Sequence, residues 1–274
     1  MLSLDRLIEH ALLEDIHTGD ITTQAVVPGR RAASARFIAK EDLVQAGLFV
    51  AERVFQRLSP AIVFTACLPE GAHVVKGAIL ATMQGNAAEL LMGERVDLNL
   101  LQRLSGIATL TSRYVAAVQG TKTRIVDTRK TTPGLRELEK YAVRVGGGIN
   151  HRTGLYDGIL IKENHIAAAG GIAEAISRAR AYIPHTLKIE IETETLEQVD
   201  EALAAGADII MLDNMGLVDM RTAVTIIAGR ALVEASGGVN LETVRAIAET
   251  GVDIISVGAL THSPRAMDIS MLLD

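Results

Sequence analysis

The chain has 274 residues, 49% hydrophobic and 22% charged, with a net charge of −6; that length buries roughly three quarters of its unfolded surface, enough for one large domain or two smaller ones. Gly (24) and Pro (6) are present at ordinary levels, which excludes collagen-like repeats and low-complexity disorder, and the acidic balance argues against nucleic-acid binding, which needs clustered Lys and Arg. Residues 1 to 5 lack a basic n-region, no apolar run approaches ~20 residues, and the single Cys67 cannot form an internal disulfide, so a cytoplasmic protein with no membrane partner is expected.

Leu4, Leu7, Ile8, Ala11 and Leu12 recur at helical spacing and predict a helix over 4–15 that stops at Thr18-Gly19-Asp20. Short strands follow at Ala35–Ala39, Ile62–Ala66, His73–Val75 and Ile79–Met83, punctuated by Gly and Pro. Residues 89–118 then carry a long helical pattern interrupted at Ser105-Gly106. The domain boundary is expected there, giving an N-terminal α/β unit over 1–105 and a second domain over 106–274, with the extreme C-terminus a candidate to pack back on the first. Aromatics make up 3% with no Trp, so the core is expected to be built mainly from Ala, Val, Ile and Leu.

Beyond the break, strand candidates at Arg124–Asp127, Gly158–Lys162, Leu187–Glu192, Ile209–Asp213, Leu232–Ser236 and Ile254–Gly258 alternate with amphipathic stretches such as Ile172–Tyr182, Leu196–Ala205 and Leu241–Glu249. Continuous apolar runs suit parallel strands buried on both faces. Repeated strand–helix units read as α/β, and six clear strands read as an incomplete barrel.

Barrel active sites lie at the C-terminal ends of the strands. Those ends read Asp127-Thr-Arg129-Lys130, Lys162-Glu163, Glu192, Asp213-Asn214, Ser236-Gly237-Gly238 and Gly258. From Arg129 to Glu163, seven Lys or Arg accompany four Asp or Glu, a basic island in an acidic protein that implies a multiply anionic small ligand. Arg136, Lys140 and Arg144 fit a solvated helix face at i,i+4 spacing as well as they fit a ligand site; Arg129, Lys130, Arg152 and Lys162 sit at strand ends or in Gly-rich loops and do not. Ser236-Gly237-Gly238 and Gly258-Ala-Leu-Thr-His262 follow the last two strands, where barrels hold phosphate. Gly146-Gly-Gly-Ile-Asn-His-Arg152 delivers a His-Arg pair at a real cost in backbone entropy. Glu192 and Asp213 suit ribose hydroxyls or Mg²⁺, or else neutralise Lys130 and Lys162. No Cys/His pattern suggests structural zinc.

Asp127-Thr-Arg-Lys-Thr-Thr-Pro-Gly-Leu-Arg136, Glu139-Lys-Tyr-Ala-Val143, Gly146–Arg152, Leu155-Tyr-Asp157, Leu160-Ile-Lys-Glu-Asn-His-Ile166, Met211-Leu-Asp-Asn214 and Ser256–Ser263 together resemble the quinolinate phosphoribosyltransferase family (nicotinate-nucleotide pyrophosphorylase, carboxylating) of the type II phosphoribosyltransferases. Similarity runs from Glu14-Asp15 to Met267–Ser270, with His17 standing where Gly is commoner. The resemblance implies an N-terminal α/β sandwich and an incomplete α/β barrel, working as a homodimer. It implies transfer of phosphoribosyl from phosphoribosyl pyrophosphate to quinolinate, yielding nicotinate mononucleotide, pyrophosphate and CO₂ in de novo NAD synthesis. Quinolinate-binding positions fall on Arg103, Arg129, His151, Arg152 and Lys162, with Arg103 reaching the neighbouring subunit's site. Phosphoribosyl contacts fall on Lys130, Lys162, Glu192, Asp213, Ser236, Gly237, Gly258 and His262; Lys130, Glu192 and Asp213 carry the chemistry. Mg²⁺ would arrive with the pyrophosphate substrate near Glu192 and Asp213 rather than in a dedicated protein cage, and no organic cofactor is implied. Two other classes compete: a Schiff-base aldolase using Lys162 or Lys130, and a carrier module, because Pro69–Gly77 has the turn rhythm of biotinyl or lipoyl domains.

Overall fold

The computed structural model describes residues 2–27 and 29–274. They form two compact units, one running up to Leu110 and including Pro264–Asp274, the other spanning Thr111–Ser263. In chain order the first unit contains α1 (Leu2–Ile16), α2 (Ile21–Val26), β1 (Ala32–Ala39), β2 (Leu43–Val44), α3 (Leu48–Leu58), β3 (Val63–Ala66), β4 (His73–Val74), β5 (Ile79–Asn86) and most of α4 (Ala87–Ala117). The second contains β6 (Arg124–Val126), α5 (Arg136–Val145), β7 (Ile159–Ile161), α6 (Glu163–Ala169), α7 (Ile172–Tyr182), β8 (Ile189–Thr193), α8 (Leu196–Ala204), β9 (Ile209–Asp213), α9 (Leu217–Ile227), β10 (Leu232–Ser236), α10 (Val244–Ala248), β11 (Ile254–Ser256) and α11 (Ala259–His262). The last strand, β12 (Ile269–Leu273), belongs to the first unit.

The first unit is built on a four-stranded antiparallel sheet of order β12-β1-β5-β3, beside a two-stranded β2-β4 ribbon. Its core joins aliphatic side chains such as Leu80, Leu90 and Ile269 to Phe37 and Phe55. Phe37, Phe55 and Phe64 lie with ring centroids 6.2–6.5 Å apart, so the few aromatics of the chain are concentrated where they anchor this sheet. α1 ends at His17, whose φ of 44° is left-handed and explains why glycine suits that position better. Asp20 then caps α2 by accepting the Thr23 N–H at 2.9 Å; the sequence pattern had suggested only a stop there.

Helix α4 runs unbroken through Ser105-Gly106, against the interruption expected from sequence. A Cβ at Gly106 would run into the Arg265 carbonyl, so this glycine permits a close backbone approach within the first unit rather than ending a helix. The Pro69–Gly77 segment contributes β4 to the ribbon with β2 and is part of the first unit, not a separate carrier module.

The second unit is a six-stranded all-parallel sheet of order β6-β11-β10-β9-β8-β7. Ile189, Ile191, Ile210, Leu212, Ala235 and Ile255 on its strands are fully buried, as expected for strands covered on both faces. Its two edge strands, β6 and β7, are not joined by a ladder; Ile149 makes a single parallel bridge to Val126. The barrel is therefore incomplete. Among the described residues no helix is long and apolar enough to cross a membrane.

Candidate active site

A cavity of about 730 Å³ opens at the C-terminal ends of the parallel strands, the face where barrels build their sites. Arg129 and Lys130 enter it from the loop after β6, His151 and Arg152 from the Gly-rich loop, and Lys162 from the end of β7. Glu192 is the penultimate residue of β8, Asp213 and Ser236 close β9 and β10, and Gly237, Gly258 and His262 come from the loops and short helix that follow. Every site residue expected from sequence lines this cavity except Arg103, which lies half-buried on α4 in the first unit.

The loop carrying His151 and Arg152 is fixed by a buried charge network. Asp127 is fully buried and accepts from Lys140 Nζ at 2.5 Å, Asn150 Nδ2 at 2.5 Å and the His151 N–H at 2.9 Å. Lys140 is itself buried and also donates to the His151 carbonyl at 2.9 Å. Burial raises the Asp127 pKa more than these partners lower it. Arg136 ties the 129–131 segment to the following loop by donating to Thr131 Oγ1 at 2.9 Å and to the carbonyls of Thr153 and Arg129. The solvated-face reading thus fails for Lys140 and Arg136, which hold the site's loops together; exposed Arg144, bonded to Asn150, sits at the edge of the same network.

Arg152 donates to the Gly158 carbonyl at 3.0 Å. Burial, then the neighbouring Arg129 charge, lowers its pKa. Arg129 Nε is buried with no hydrogen-bond partner among the described residues. Two guanidiniums that repel each other, one with an unused donor, form a pocket whose energy falls when an anion enters. Lys162 is ion-paired with Glu192, so the neutralising role considered for Glu192 is realised at that pair. Asp213 accepts from Asn214 Nδ2 at 2.8 Å. Lys130 and Lys162 are exposed, and neither has the desolvation that a Schiff-base amine needs. His165 turns away into a cap, its Nδ1 accepting the Lys162 N–H at 3.0 Å.

On the far side of the cavity, Gly237 has φ 95° and Gly238 φ 61°. A Cβ on Gly237 would collide with the side chain and backbone of Asn214, so glycine is required on both counts. Thr261 Oγ1 donates to the Lys130 carbonyl at 2.8 Å, joining the loop that carries Lys130 to α11.

The sequence reading missed the floor. Glu190 lies two residues before Glu192 on β8, and Glu234 two before Ser236 on β10, so each shares an inward face with its strand-end neighbour, one layer deeper. Glu190 Oε2 is 2.8 Å from His151 Nε2, and Glu234 Oε2 is 3.9 Å from it. A charged residue inside an otherwise apolar strand was the signal that could have found both.

Comparison with known proteins shows the family. Residues 20–105 match the family description "Quinolinate phosphoribosyl transferase, N-terminal domain", and residues 107–272 match the corresponding C-terminal domain. The "Probable nicotinate-nucleotide pyrophosphorylase [carboxylating]" of Bacillus subtilis is 49% identical over 270 residues, covering 98% of this chain and 93% of the relative. A protein of the same name from Synechocystis is 50% identical over 272 residues, covering 98% and 92%. Among solved structures, NadC from Streptococcus pyogenes superposes with a TM-score of 0.96 at 44% identity, covering 100% of this chain and 97% of that one.

Proposed function

The chain belongs to the quinolinate phosphoribosyltransferase family, and from that premise we propose that its cavity transfers phosphoribosyl from phosphoribosyl pyrophosphate to quinolinate with decarboxylation. The products are nicotinate mononucleotide, pyrophosphate and CO₂, on the de novo route to NAD. The observation that carries this reading is the Arg129–Arg152 pair, with its mutual repulsion and its buried, unpartnered Nε. Quinolinate bears two adjacent carboxylates, and Arg forks bind such groups bidentately.

His151, Arg152, Arg129 and Lys162 hold the pyridine dicarboxylate. Lys130, Lys162, Ser236, Gly237, Gly258 and His262 hold the phosphoribosyl moiety, with Glu192 and Asp213 taking ribose hydroxyls. The ring nitrogen attacks the anomeric carbon as pyrophosphate leaves, and no covalent enzyme intermediate is needed. Lys130 stabilises the leaving charge, and binding both reactants in one cavity supplies the orientation. The pyridinium then stabilises the electron pair left on C2 when the 2-carboxylate departs as CO₂.

Glu192 and Asp213 are hard oxygen donors lining a cavity that also holds Arg129, Lys130, Arg152 and Lys162, which fits Mg²⁺ carried in by the diphosphate. Each is partly engaged, by Lys162 and Asn214 respectively, which suits contact through the substrate better than a protein cage. When bound, the ion would neutralise charge on the leaving pyrophosphate. The protein works in the cytoplasm as a homodimer in which Arg103 is donated to the neighbouring subunit's site. The direct test is purified protein with quinolinate, phosphoribosyl pyrophosphate and Mg²⁺, expected to release one CO₂ and one pyrophosphate per nicotinate mononucleotide. No product, or product without CO₂, would overturn the reading.

A further inference from the structure

At and beneath the cavity floor, two buried carboxylates face one another: Glu234 lines the cavity and Glu190 lies against it. Glu190 and Glu234 are 4% and 1% exposed, and each has one oxygen, Oε1, buried without a partner among the described residues. The groups facing Glu234 are Glu190 from β8, His151 from the Gly-rich loop and the Ser256 hydroxyl from β11. His151 fixes the charge count. Its Nδ1 accepts the Arg152 N–H at 2.8 Å, so its proton resides on Nε2 and points at Glu190 Oε2. Burial lowers the His151 pKa, yet the Glu190 hydrogen bond and the two carboxylate charges outweigh it and raise it overall. Protonating Nδ1 would forfeit the bond from the Arg152 N–H, which opposes the second proton on the ring. Two close, buried carboxylates cannot both ionise. Glu234, the carboxylate farther from the ring, keeps the proton: burial and then the Glu190 charge push its pKa up to about 8.

The reaction above consumes one proton, since a C–COO⁻ bond is replaced by C–H. We propose that Glu234, which lines the cavity, is the acid that protonates C2 of the pyridine ring, with Glu190 and His151 as positioning residues. This rests on the quinolinate reading. As the C2–carboxylate bond breaks, its electron pair stays on C2 and CO₂ departs. That pair takes the Glu234 proton, the C2–H bond forms, and Glu234 is left as a carboxylate that regains a proton from solvent after product release. Without a donor, the carbanion recaptures CO₂ held in the same cavity, so net CO₂ release slows.

The ligand atoms of His151, Glu190 and Glu234 lie within 4.8 Å of one another, a spacing that a metal ion also satisfies. A metal would need a bare Nε2 and a protonated Nδ1, the reverse of the tautomer that the Arg152 N–H selects.

Glu234→Gln tests the proposal, because it keeps shape and neutrality and removes the proton. Rapid-quench measurement of both products in one turnover is expected to show pyrophosphate release within about threefold of wild type. CO₂ release should be slowed at least ~100-fold, with quinolinate mononucleotide accumulating, detectable by mass, and quinolinate Kd unchanged. Glu234→Asp should restore part of the CO₂ rate. Should the Gln variant misfold, the wild-type enzyme still decides: its CO₂-release step must weaken as pH rises through about 8, and Glu190→Gln, by removing the charge that holds the proton on Glu234, must move that limb to lower pH. Equal slowing of both products, or an unmoved pH limb, would overturn the proposal. So would a bound metal in wild type that the Gln variant lacks. Failure of the wild type to form nicotinate mononucleotide would instead overturn the family reaction itself.

Discussion

Lys140→Met removes the single ammonium bound to a fully buried carboxylate while leaving the methylene volume in place. Asp127 would keep its bonds from Asn150 and the His151 N–H, but not the Nζ contact at 2.5 Å. Breaking a buried pair from one side typically costs ~3–5 kcal/mol, and a domain of this size loses roughly 2–4 °C in Tm per kcal/mol. Calorimetry at pH 8 should therefore show a fall of roughly 6–20 °C. Burial already raises the folded-state pKa of Asp127, and losing Lys140 raises it further. A carboxyl with a raised folded pKa binds more protons folded than unfolded, so its stability contribution falls as pH rises from the unfolded value toward the folded one. The deficit should thus be small near pH 4 and complete by pH 8. Adding Asp127→Asn should recover at least half of it, and quinolinate KM should rise because His151 and Arg152 hang from this network. A deficit below ~1 kcal/mol, one independent of pH, or no recovery in the double variant would rule out this role for Lys140.

Lys130→Ala should cripple turnover more than quinolinate binding, whereas Arg129→Ala and Arg152→Ala should raise quinolinate Kd; calorimetric titration of each variant checks the split, and loss of quinolinate binding in Lys130→Ala with none in Arg152→Ala would reverse the roles. Arg103→Ala and Lys130→Ala, each inactive alone, should complement when subunits are exchanged in mild denaturant and refolded. Random pairing makes about half the dimers mixed, each with one intact site, so roughly a quarter of wild-type activity should return. No recovery, with heterodimers confirmed by mass spectrometry, would leave Arg103 acting in its own subunit or nowhere.

The parallel sheet was legible because its strands are apolar runs ending in charged or Gly residues, as in Asp208-Ile-Ile-Met-Leu-Asp213. Strand β12 was not, since Ile269–Leu273 is short and gains its identity from pairing with β1, far away in the chain. Ser105-Gly106 read as a break because propensity records what glycine costs a helix, and not what the Arg265 carbonyl requires there. Strand ends exposed the cavity rim through position alone. Lys140 escaped because its i,i+4 neighbours imitate a solvated face while its ammonium turns inward to Asp127. Glu190 and Glu234 escaped for a related reason. Attention to strand termini passes over a charge one layer down, although a carboxylate inside an apolar parallel strand is costly enough to demand a purpose.

The cavity is built to read two carboxylates, and the ratio of kcat/KM for quinolinate to that for nicotinate, at saturating phosphoribosyl pyrophosphate and Mg²⁺, decides whether it does. Nicotinate lacks the 2-carboxylate and would leave at least one of the half-buried Arg129 and Arg152 without its anion, and a site built to bind a polar substrate group discriminates against the analogue lacking it by about 3 kcal/mol or more. A preference for quinolinate of at least ~100-fold is expected. Equal values for the two acids would contradict it.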